Sequence, residues 1–289
     1  MTLHEAQQQL LFQLYHIYSD DEAKNIAELV MEHITGWKRI DRVINKSLKL
    51  LPDTIENLDQ YTTELLRHKP VQYVLNEAWF AGMKLYVDEN VLIPRPETEE
   101  LVEWIVKDMR STGAKSPITI LDIGTGSGCI ALGVKKKLSN AEVHACDVSE
   151  EALKVAEKNA SVQNLFIQLH LFDILSSKEN QRLPLFDCIV SNPPYIPLSD
   201  KSSMHKNVLD YEPHLALFVE NDDSLLFYKA IAAFAETNLK PEGSIYLEIH
   251  ESLAEQVKKV FSSKGFSKIE IRKDMQGKDR MLRIIRNTV

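Results

Sequence analysis

One segment decides the fold: Leu121-Asp122-Ile123-Gly124-Thr125-Gly126-Ser127-Gly128, which joins an apolar strand to a helical stretch. Glycine allows a tight turn and lets a ligand approach the backbone amides without a Cβ in the way. The spacing is Gly-x-Gly-x-Gly, so it matches neither the Gly-x-Gly-x-x-Gly dinucleotide fingerprint nor a Walker loop. The segment therefore predicts a nucleotide-type ligand without specifying which, and a tight turn with no ligand is the alternative.

Helices and strands alternate around this turn from residue 97 onward. The pattern predicts strands at 118–123, 142–147, 167–171, 186–191 and 244–249, and a final pair near 267–273 and 280–286. Alternation of this kind is typical of an α/β domain, in which a mostly parallel sheet carries helices on both faces. Ligands of such domains bind at the carboxyl ends of the strands.

The first 96 residues have a different pattern. Residues 1–70 predict a small helical bundle, because apolar side chains recur there at helical spacing. Residues 71–96 predict short strands and turns that close at Pro94-Arg95-Pro96, a β-hairpin-like linker. The sequence therefore predicts three parts, with boundaries at 1–70, 71–96 and 97–289.

Composition and charge narrow the function classes. Apolar residues make up 44% of the 289 and charged residues 26%, which excludes fibrous and disordered classes. The net charge of −8 disfavours nucleic acid as a partner, because phosphate binding depends on clustered Lys and Arg. The three cysteines have no metal-ligand spacing, so neither zinc nor a disulfide framework is expected. Without an apolar span or signal peptide, we expect a soluble cytoplasmic protein.

Two carboxylates follow the next strands of the predicted sheet. Asp147 ends the strand at 142–147, where its carboxylate can accept hydrogen bonds from both hydroxyls of a ribose. Asp173 follows the third strand, where it can accept from an adenine amino group while Ile174 covers the ring. Together with the glycine turn, these positions predict an adenosine-containing ligand.

A proline-rich loop follows the fourth strand and reads Ser191-Asn192-Pro193-Pro194-Tyr195. Prolines fix φ and donate no amide hydrogens. The side-chain oxygen of Asn192 and the carbonyl of Pro193 are thus left as fixed acceptors, with Tyr195 as an aromatic wall. Because two acceptors match the two hydrogens of a planar NH2 group, the loop predicts an amide or an exocyclic amine as substrate.

These motifs resemble the methyltransferases that use S-adenosylmethionine to modify planar NH2 groups. The likeness is greatest to the peptide chain release factor N5-glutamine methyltransferase family (PrmC/HemK type). It extends to Pro70-Val71-Gln72-Tyr73, Leu92-Ile93-Pro94-Arg95-Pro96-Glu97-Thr98-Glu99, Asp210-Tyr211-Glu212-Pro213 and Gly277-Lys278-Asp279-Arg280. Two departures are Asn76, where the family usually has glycine, and Ile174, where relatives often have an aromatic residue. Asparagine tolerates a left-handed φ better than most residues do, so the turn at Asn76 is expected to remain.

The resemblance implies a Rossmann-like S-adenosylmethionine-dependent methyltransferase domain with an N-terminal helical domain for substrate recognition. It implies a cofactor site without metal, formed by Gly124, Thr125, Gly126, Ser127, Gly128, Asp147, Asp173, Ile174 and Asn192. The acceptor is then the glutamine of the Gly-Gly-Gln motif of class-1 release factors. Its implied binding residues are Arg95, Asn192, Pro193, Pro194 and Tyr195, of which Asn192, Pro193 and Tyr195 are the expected catalytic residues. An N6-adenine or other nucleic-acid methyltransferase and a non-catalytic adenosine-binding protein are the alternatives.

Overall fold

The computed structural model describes residues 1–111, 117–176, 183–219 and 223–286. The chain divides into two compact units, one of Met1–Glu77 with His205–Tyr211 and one of Ala78–Met204 with Glu212–Val289. The helical unit, as we call the first, thus contains a segment that the sequence assigned to the part at 97–289. One reason is a hydrogen bond of 2.9 Å that the Tyr211 hydroxyl donates to the carbonyl of Arg67.

The helical unit consists of short amphipathic helices. They are α1 (Leu3–Leu14), α2 (Asp20–Thr35), α3 (Arg39–Ile44), α4 (Pro52–Leu65), α5 (Val71–Leu75) and, later in the chain, α9 (Lys206–Tyr211). Thr2 caps α1 in a capping box with Glu5, and Gly36 ends α2 in the left-handed conformation. Helices α1, α2, α4 and α5 bury a common apolar core that includes Leu10, Met31 and Leu65. The helical character predicted for residues 1–70 is confirmed.

The second unit, which we call the sheet unit, alternates strands and helices. Its strands are β1 (Ala78–Phe80), β2 (Met83–Leu85), β3 (Thr119–Ile123), β4 (Glu142–Asp147), β5 (Gln168–Leu171), β6 (Phe186–Ser191), β7 (Ile196–Pro197), β8 (Phe218–Val219), β9 (Leu239–Glu248), β10 (Lys268–Lys273) and β11 (Asp279–Ile285). Its helices are α6 (Pro96–Ser111), α7 (Cys129–Lys137), α8 (Glu150–Val162), α10 (His214–Leu217), α11 (Leu226–Asn238) and α12 (Ala254–Ser263), with a 3-10 turn at Leu198–Ser203.

A seven-stranded sheet with the order β10-β11-β9-β6-β3-β4-β5 forms the centre of the described part of this unit. Strands β9, β6, β3, β4 and β5 are parallel, whereas β11 runs antiparallel to both of its neighbours, β9 and β10. Successive residues of β3 pack on opposite faces, with Ile120 in one apolar cluster and Leu121 in the other. The predicted α/β class, a mostly parallel sheet between helices, is therefore confirmed. The order reverses beside β3, which is where such sheets bind ligands.

The linker region differs in detail from its prediction. Its short strands are β1 and β2, which pair antiparallel, and residues 91–93, directly before Pro94, belong to no strand in the described part of the chain. The backbone N–H of Ile93 donates to a carboxylate oxygen of Glu212 at 3.3 Å, so a side chain replaces a strand partner there. Asn76 adopts φ +52°, as expected for a left-handed turn in place of glycine.

Candidate active site

A cavity of about 260 Å³ lies at the carboxyl ends of β3, β4, β5 and β6. Because these strands are neighbours in the sheet, the segments that follow them meet at one edge. The predicted site residues among the cavity lining are Gly124, Gly126, Asp147, Asp173, Ile174, Asn192, Pro193 and Pro194. The structure therefore brings the glycine turn, the two acidic corners and the proline-rich loop together around one space.

The glycine turn wraps over the end of β4. The amides of Gly124 and Thr125 both donate to the carbonyl of Cys146, at 2.9 and 3.0 Å. Gly124 and Gly126 have φ of +72° and +52°, and apart from their immediate chain neighbours no residue has an atom within 4 Å of the position that a Cβ would occupy at either. At Gly128, with φ +80°, a Cβ would instead lie 3.2 Å from the Cβ of Ala156 on α8. The first two glycines thus leave open space beside the cavity, and the third allows helix α8 to approach.

Thr125 and Ser127, predicted as cofactor-binding, are buried and do not line the cavity. The Thr125 hydroxyl donates to Oδ2 of Asp122 at 2.7 Å, and the amide of Ala131 donates to the same oxygen at 3.2 Å. Burial raises the pKa of Asp122 to about 7, against the effect of these two hydrogen bonds. The hydrogen bond from Thr125 thus connects the glycine turn to Asp122 near the end of β3.

The carboxylate of Asp147 lines the cavity and also holds the turn. Its Oδ2 accepts from the amide of Gly126 at 2.9 Å, and its Oδ1 accepts from the amide of Ser149 at 3.0 Å. Burial raises the pKa of Asp147, although the backbone hydrogen bonds of Ser149 and Gly126 oppose the shift. Each carboxylate oxygen has a second lone pair, so Asp147 retains the capacity to accept from hydroxyl groups of a ligand.

Two hydrogen bonds restrain the start of the proline-rich loop, directly after β6. The Ser191 hydroxyl donates to the carbonyl of Ile123 at 2.7 Å, which joins the end of β6 to the end of β3. The side-chain amide of Asn192 donates to the hydroxyl oxygen of Thr98 at 3.3 Å. The loop thus has a fixed start, and the Asn192 side chain has a defined partner outside the cavity lining.

Two predicted substrate-binding residues do not line the cavity. Tyr195 was expected to form an aromatic wall, but its hydroxyl donates to Oε1 of Glu248 at 3.5 Å, and burial raises its pKa. The guanidinium of Arg95 forms an ion pair with the buried carboxylate of Glu212, with 2.6 Å between Nη2 and Oε1. Arg95 thus connects two of the motifs that carry the family resemblance.

The sequence did not predict that Glu248, the last residue of β9, contacts Thr98 and Tyr195. Its carboxylate is 2% exposed and accepts a hydrogen bond of 2.6 Å from the Thr98 hydroxyl. Burial raises the pKa of Glu248 to about 7, while the hydrogen bond from Thr98 and the charge of Arg280 oppose the shift. A lone acidic residue at the end of a strand gives no signal in the sequence that it is buried and makes these contacts. The segment at 89–92 also lines the cavity and was not predicted to do so.

In residues 1–111, 117–176, 183–219 and 223–286, no helix is both long enough and apolar enough to cross a membrane. Nor do three or more His, Cys, Asp or Glu side chains there come together in a group that could hold a metal ion.

Comparison with known proteins agrees with this geometry. Residues 102–210 match the family described as Methyltransferase small domain, and residues 4–75 match the one described as PrmC N-terminal domain. A release factor glutamine methyltransferase of Flavobacterium psychrophilum is 44% identical, over 98% of this chain and 99% of that protein. The chain belongs to the release factor glutamine methyltransferase family. A second member, from Bacteroides thetaiotaomicron, is 38% identical over 93% of this chain and 95% of its own length.

Solved structures share the fold of this family member. The catalytic domain of hMettl16, in complex with the MAT2A 3'UTR hairpin 6, has a TM-score of 0.56 at 18% identity, over 83% of this chain and 84% of that one. A methyltransferase from Pyrococcus furiosus has a TM-score of 0.50 at 21% identity, over 72% and 90%. Family and fold together confirm the predicted class, a Rossmann-like S-adenosylmethionine-dependent methyltransferase. The open space beside Gly124 and Gly126 fits this cofactor, because a side chain there would fill it.

Proposed function

We propose that this chain transfers a methyl group from S-adenosylmethionine to the side-chain amide nitrogen (N5) of a release factor glutamine. The acceptor is the glutamine of the Gly-Gly-Gln motif of class-1 peptide chain release factors. One observation carries the proposal: Asn192 and Pro193 line the same cavity as Gly126 and Asp147. An acceptor pair for an NH2 group thus lies in the same space as a turn suited to adenosine.

In this proposal the cofactor is bound at the edge formed by β3, β4 and β5. Gly124 and Gly126 provide the turn, and Asp147 accepts hydrogen bonds from the ribose hydroxyls. Asp173 accepts from the adenine amino group, and Ile174 covers the adenine ring. S-adenosylmethionine supplies a methyl group that its positively charged sulfur already activates. The chain therefore has to bind and orient the two reactants, and no metal is required.

The difficulty lies in the acceptor, because an amide nitrogen shares its lone pair with the adjacent carbonyl. Hydrogen bonds from the NH2 group to the Asn192 side-chain oxygen and the Pro193 carbonyl hold this nitrogen in place. The same bonds favour the more positive nitrogen that develops during attack, so they stabilise the transition state more than the ground state. Orientation of this kind contributes about 7–11 kcal/mol in favourable cases. The nitrogen becomes acidic on methylation and loses its proton afterwards, so no base is needed before attack.

We further propose that the helical unit recognises the release factor in the cytoplasm. Its short helix α3 exposes three large apolar side chains, those of Ile40, Val43 and Ile44. Apolar groups concentrated on one short helix are typical of a protein-binding surface rather than of a nucleotide site. The net charge of −8 gives no support to stable nucleic-acid binding.

Mass spectrometry of the release factor, after incubation with enzyme and cofactor, tests the proposed reaction. We expect a mass gain of one methyl group on the Gly-Gly-Gln glutamine. Asn192→Ala should lower turnover by about 100-fold or more, as the loss of one oriented polar contact to a transition state does. Asn140→Ala, at an exposed position of the sheet unit before β4, is the matched control and should leave turnover unchanged. Methylation of DNA or RNA offered in parallel, with none on release factor, would overturn the proposal.

A further inference from the structure

The Asn192 amide can present either of two chemically opposite groups to the cavity. An amide side chain carries an acceptor oxygen on one side and a donor NH2 group on the other. Asn192 turns its nitrogen away from the reaction space, because Nδ2 donates to the hydroxyl oxygen of Thr98. Its oxygen is therefore the atom left for a substrate NH2 group. The neighbours of Thr98 decide whether this orientation is enforced.

The hydroxyl of Thr98 has a single hydrogen, and that hydrogen is already used. It points to Oε2 of Glu248, with 2.6 Å between the two oxygens, whereas the hydrogen bond from Asn192 to Thr98 is longer, at 3.3 Å. The Thr98 oxygen then has only lone pairs to offer Asn192, so it can accept from Nδ2 but cannot donate to Oδ1. An ionised Glu248 has no hydrogen of its own, and this sets the direction of both bonds.

The surroundings of Glu248 keep it in place as an acceptor. The Tyr195 hydroxyl donates to its Oε1, and the Tyr228 hydroxyl donates to its backbone carbonyl at 3.2 Å. The positive charge of Arg280 favours the ionised carboxylate, whereas the negative charge of Glu97 and burial disfavour it. Thr98 and Glu248 are both 2% exposed, so water has little access to exchange partners with them.

We propose that Thr98 and Glu248 are positioning residues that hold the Asn192 amide with its oxygen toward the acceptor NH2 group. With the amide reversed, the NH2 group of Asn192 would face the NH2 group of the substrate, and donors would meet donors. The hydrogen bonds from Asn192 to Thr98 and from Thr98 to Glu248 thus ensure that the pocket presents an oxygen, and not an NH2 group, to the substrate. This inference rests on the proposed methyl transfer, and it also assigns Tyr195 a role behind the pocket rather than in its wall.

The test uses the full-length enzyme with release factor at a pH well above 7, where Glu248 is ionised. Thr98→Val removes the hydroxyl at nearly constant volume and should lower kcat by about tenfold to a hundredfold. Cofactor affinity measured by calorimetry should not change, since Thr98 does not line the cavity. Thr98→Ser restores the hydroxyl and should recover most of kcat. Thr119→Val, at a buried threonine that begins β3, is the matched control and should retain wild-type kcat.

Non-additivity separates positioning from a general effect on folding. In an Asn192→Ala background, Thr98→Val should have no further effect on kcat, because no amide is left to orient. If Thr98→Val does not fold, Glu248→Gln serves instead; its NH2 group can donate to Thr98 and release the reversed orientation, so kcat falls. A wild-type kcat in either variant, or an equal fall in both backgrounds, overturns the inference. A wild-type enzyme that leaves release factor unmethylated overturns the proposed function instead, so the two failures are distinguishable.

Discussion

Alanine substitutions at Gly128 and Gly126 should separate stability from cofactor binding. Both glycines have positive φ, and an L-residue in that region costs about 1–2 kcal/mol. Only at Gly128 does the new Cβ meet tightly placed neighbours, at 3.2 Å from the Ala156 Cβ and 3.4 Å from Leu132 Cδ1. Relief of such crowding costs about 1–3 kcal/mol more. The free energy of unfolding should therefore fall by about 2–5 kcal/mol in Gly128→Ala and by about 1–2 kcal/mol in Gly126→Ala.

Cofactor affinity should change in the opposite order. A Cβ at Gly126 enters open space beside the cavity, whereas a Cβ at Gly128 points into the contact with α8. We therefore expect Gly126→Ala to weaken binding of S-adenosylmethionine strongly and Gly128→Ala to weaken it little. Urea unfolding measures the first quantity and isothermal titration calorimetry the second. Wild-type affinity in Gly126→Ala, or equal stability of the two variants, would refute the division of roles between the glycines.

Three further predictions concern Asp122, Asp147 and the exposed side chains of α3. Burial raises the pKa of Asp122 to about 7 in the folded protein, against about 3.9 in an unfolded chain, so the folded state binds more protons between these values. The contribution of Asp122 to the free energy of unfolding is thus present at low pH and is lost as pH rises from about 4 to about 7. Urea unfolding over this range should show a smaller decrease in the free energy of unfolding for Asp122→Asn than for the wild type. Asp147→Ala should weaken cofactor binding about tenfold or more by calorimetry, and unchanged affinity would exclude Asp147 from the site. Ile40→Ser combined with Ile44→Ser should raise KM for release factor in steady-state assays without changing cofactor affinity, while Phe166→Ser, at an exposed position of the sheet unit, should leave KM unchanged. A loss of cofactor affinity in that double variant would contradict the role of the helical unit.

The parts of the site that the sequence predicts are those with local causes. The glycine turn follows from residues that tolerate positive φ, and the proline-rich loop follows from residues that fix φ and lack an amide hydrogen. Strand periodicity then places the segments after β3, β4, β5 and β6 at one sheet edge. The left-handed conformation of Asn76 is a local property as well, and it was predicted correctly.

The parts that the sequence does not predict depend on contacts between distant residues. Thr98 lies 94 residues from Asn192 and 150 residues from Glu248, and no spacing rule relates these three positions. The pairing of Arg95 with Glu212 spans 117 residues, although both belong to motifs that the sequence singled out. Patterns in a single sequence report which residues share an element, not which elements meet. The ion pair of Arg95 with Glu212 could not be predicted for this reason, and the substrate-binding role of Arg95 stays a prediction.

The acceptor loop itself does not decide between a protein and a nucleic acid. Asn192 and Pro193 offer two acceptors to any planar NH2 group, whether it belongs to a glutamine side chain or to an adenine base. The fold does not decide either, since the hMettl16 catalytic domain that shares it was solved with an RNA hairpin. Selection of the substrate must then come from features outside the sheet edge. In this chain those features are an acidic net charge, which opposes a phosphate backbone, and a helical unit with exposed apolar side chains on α3. Both favour a protein, and a glutamine flanked by glycines suits a cavity of about 260 Å³, because glycines carry no side chain that would hinder the approach of the backbone.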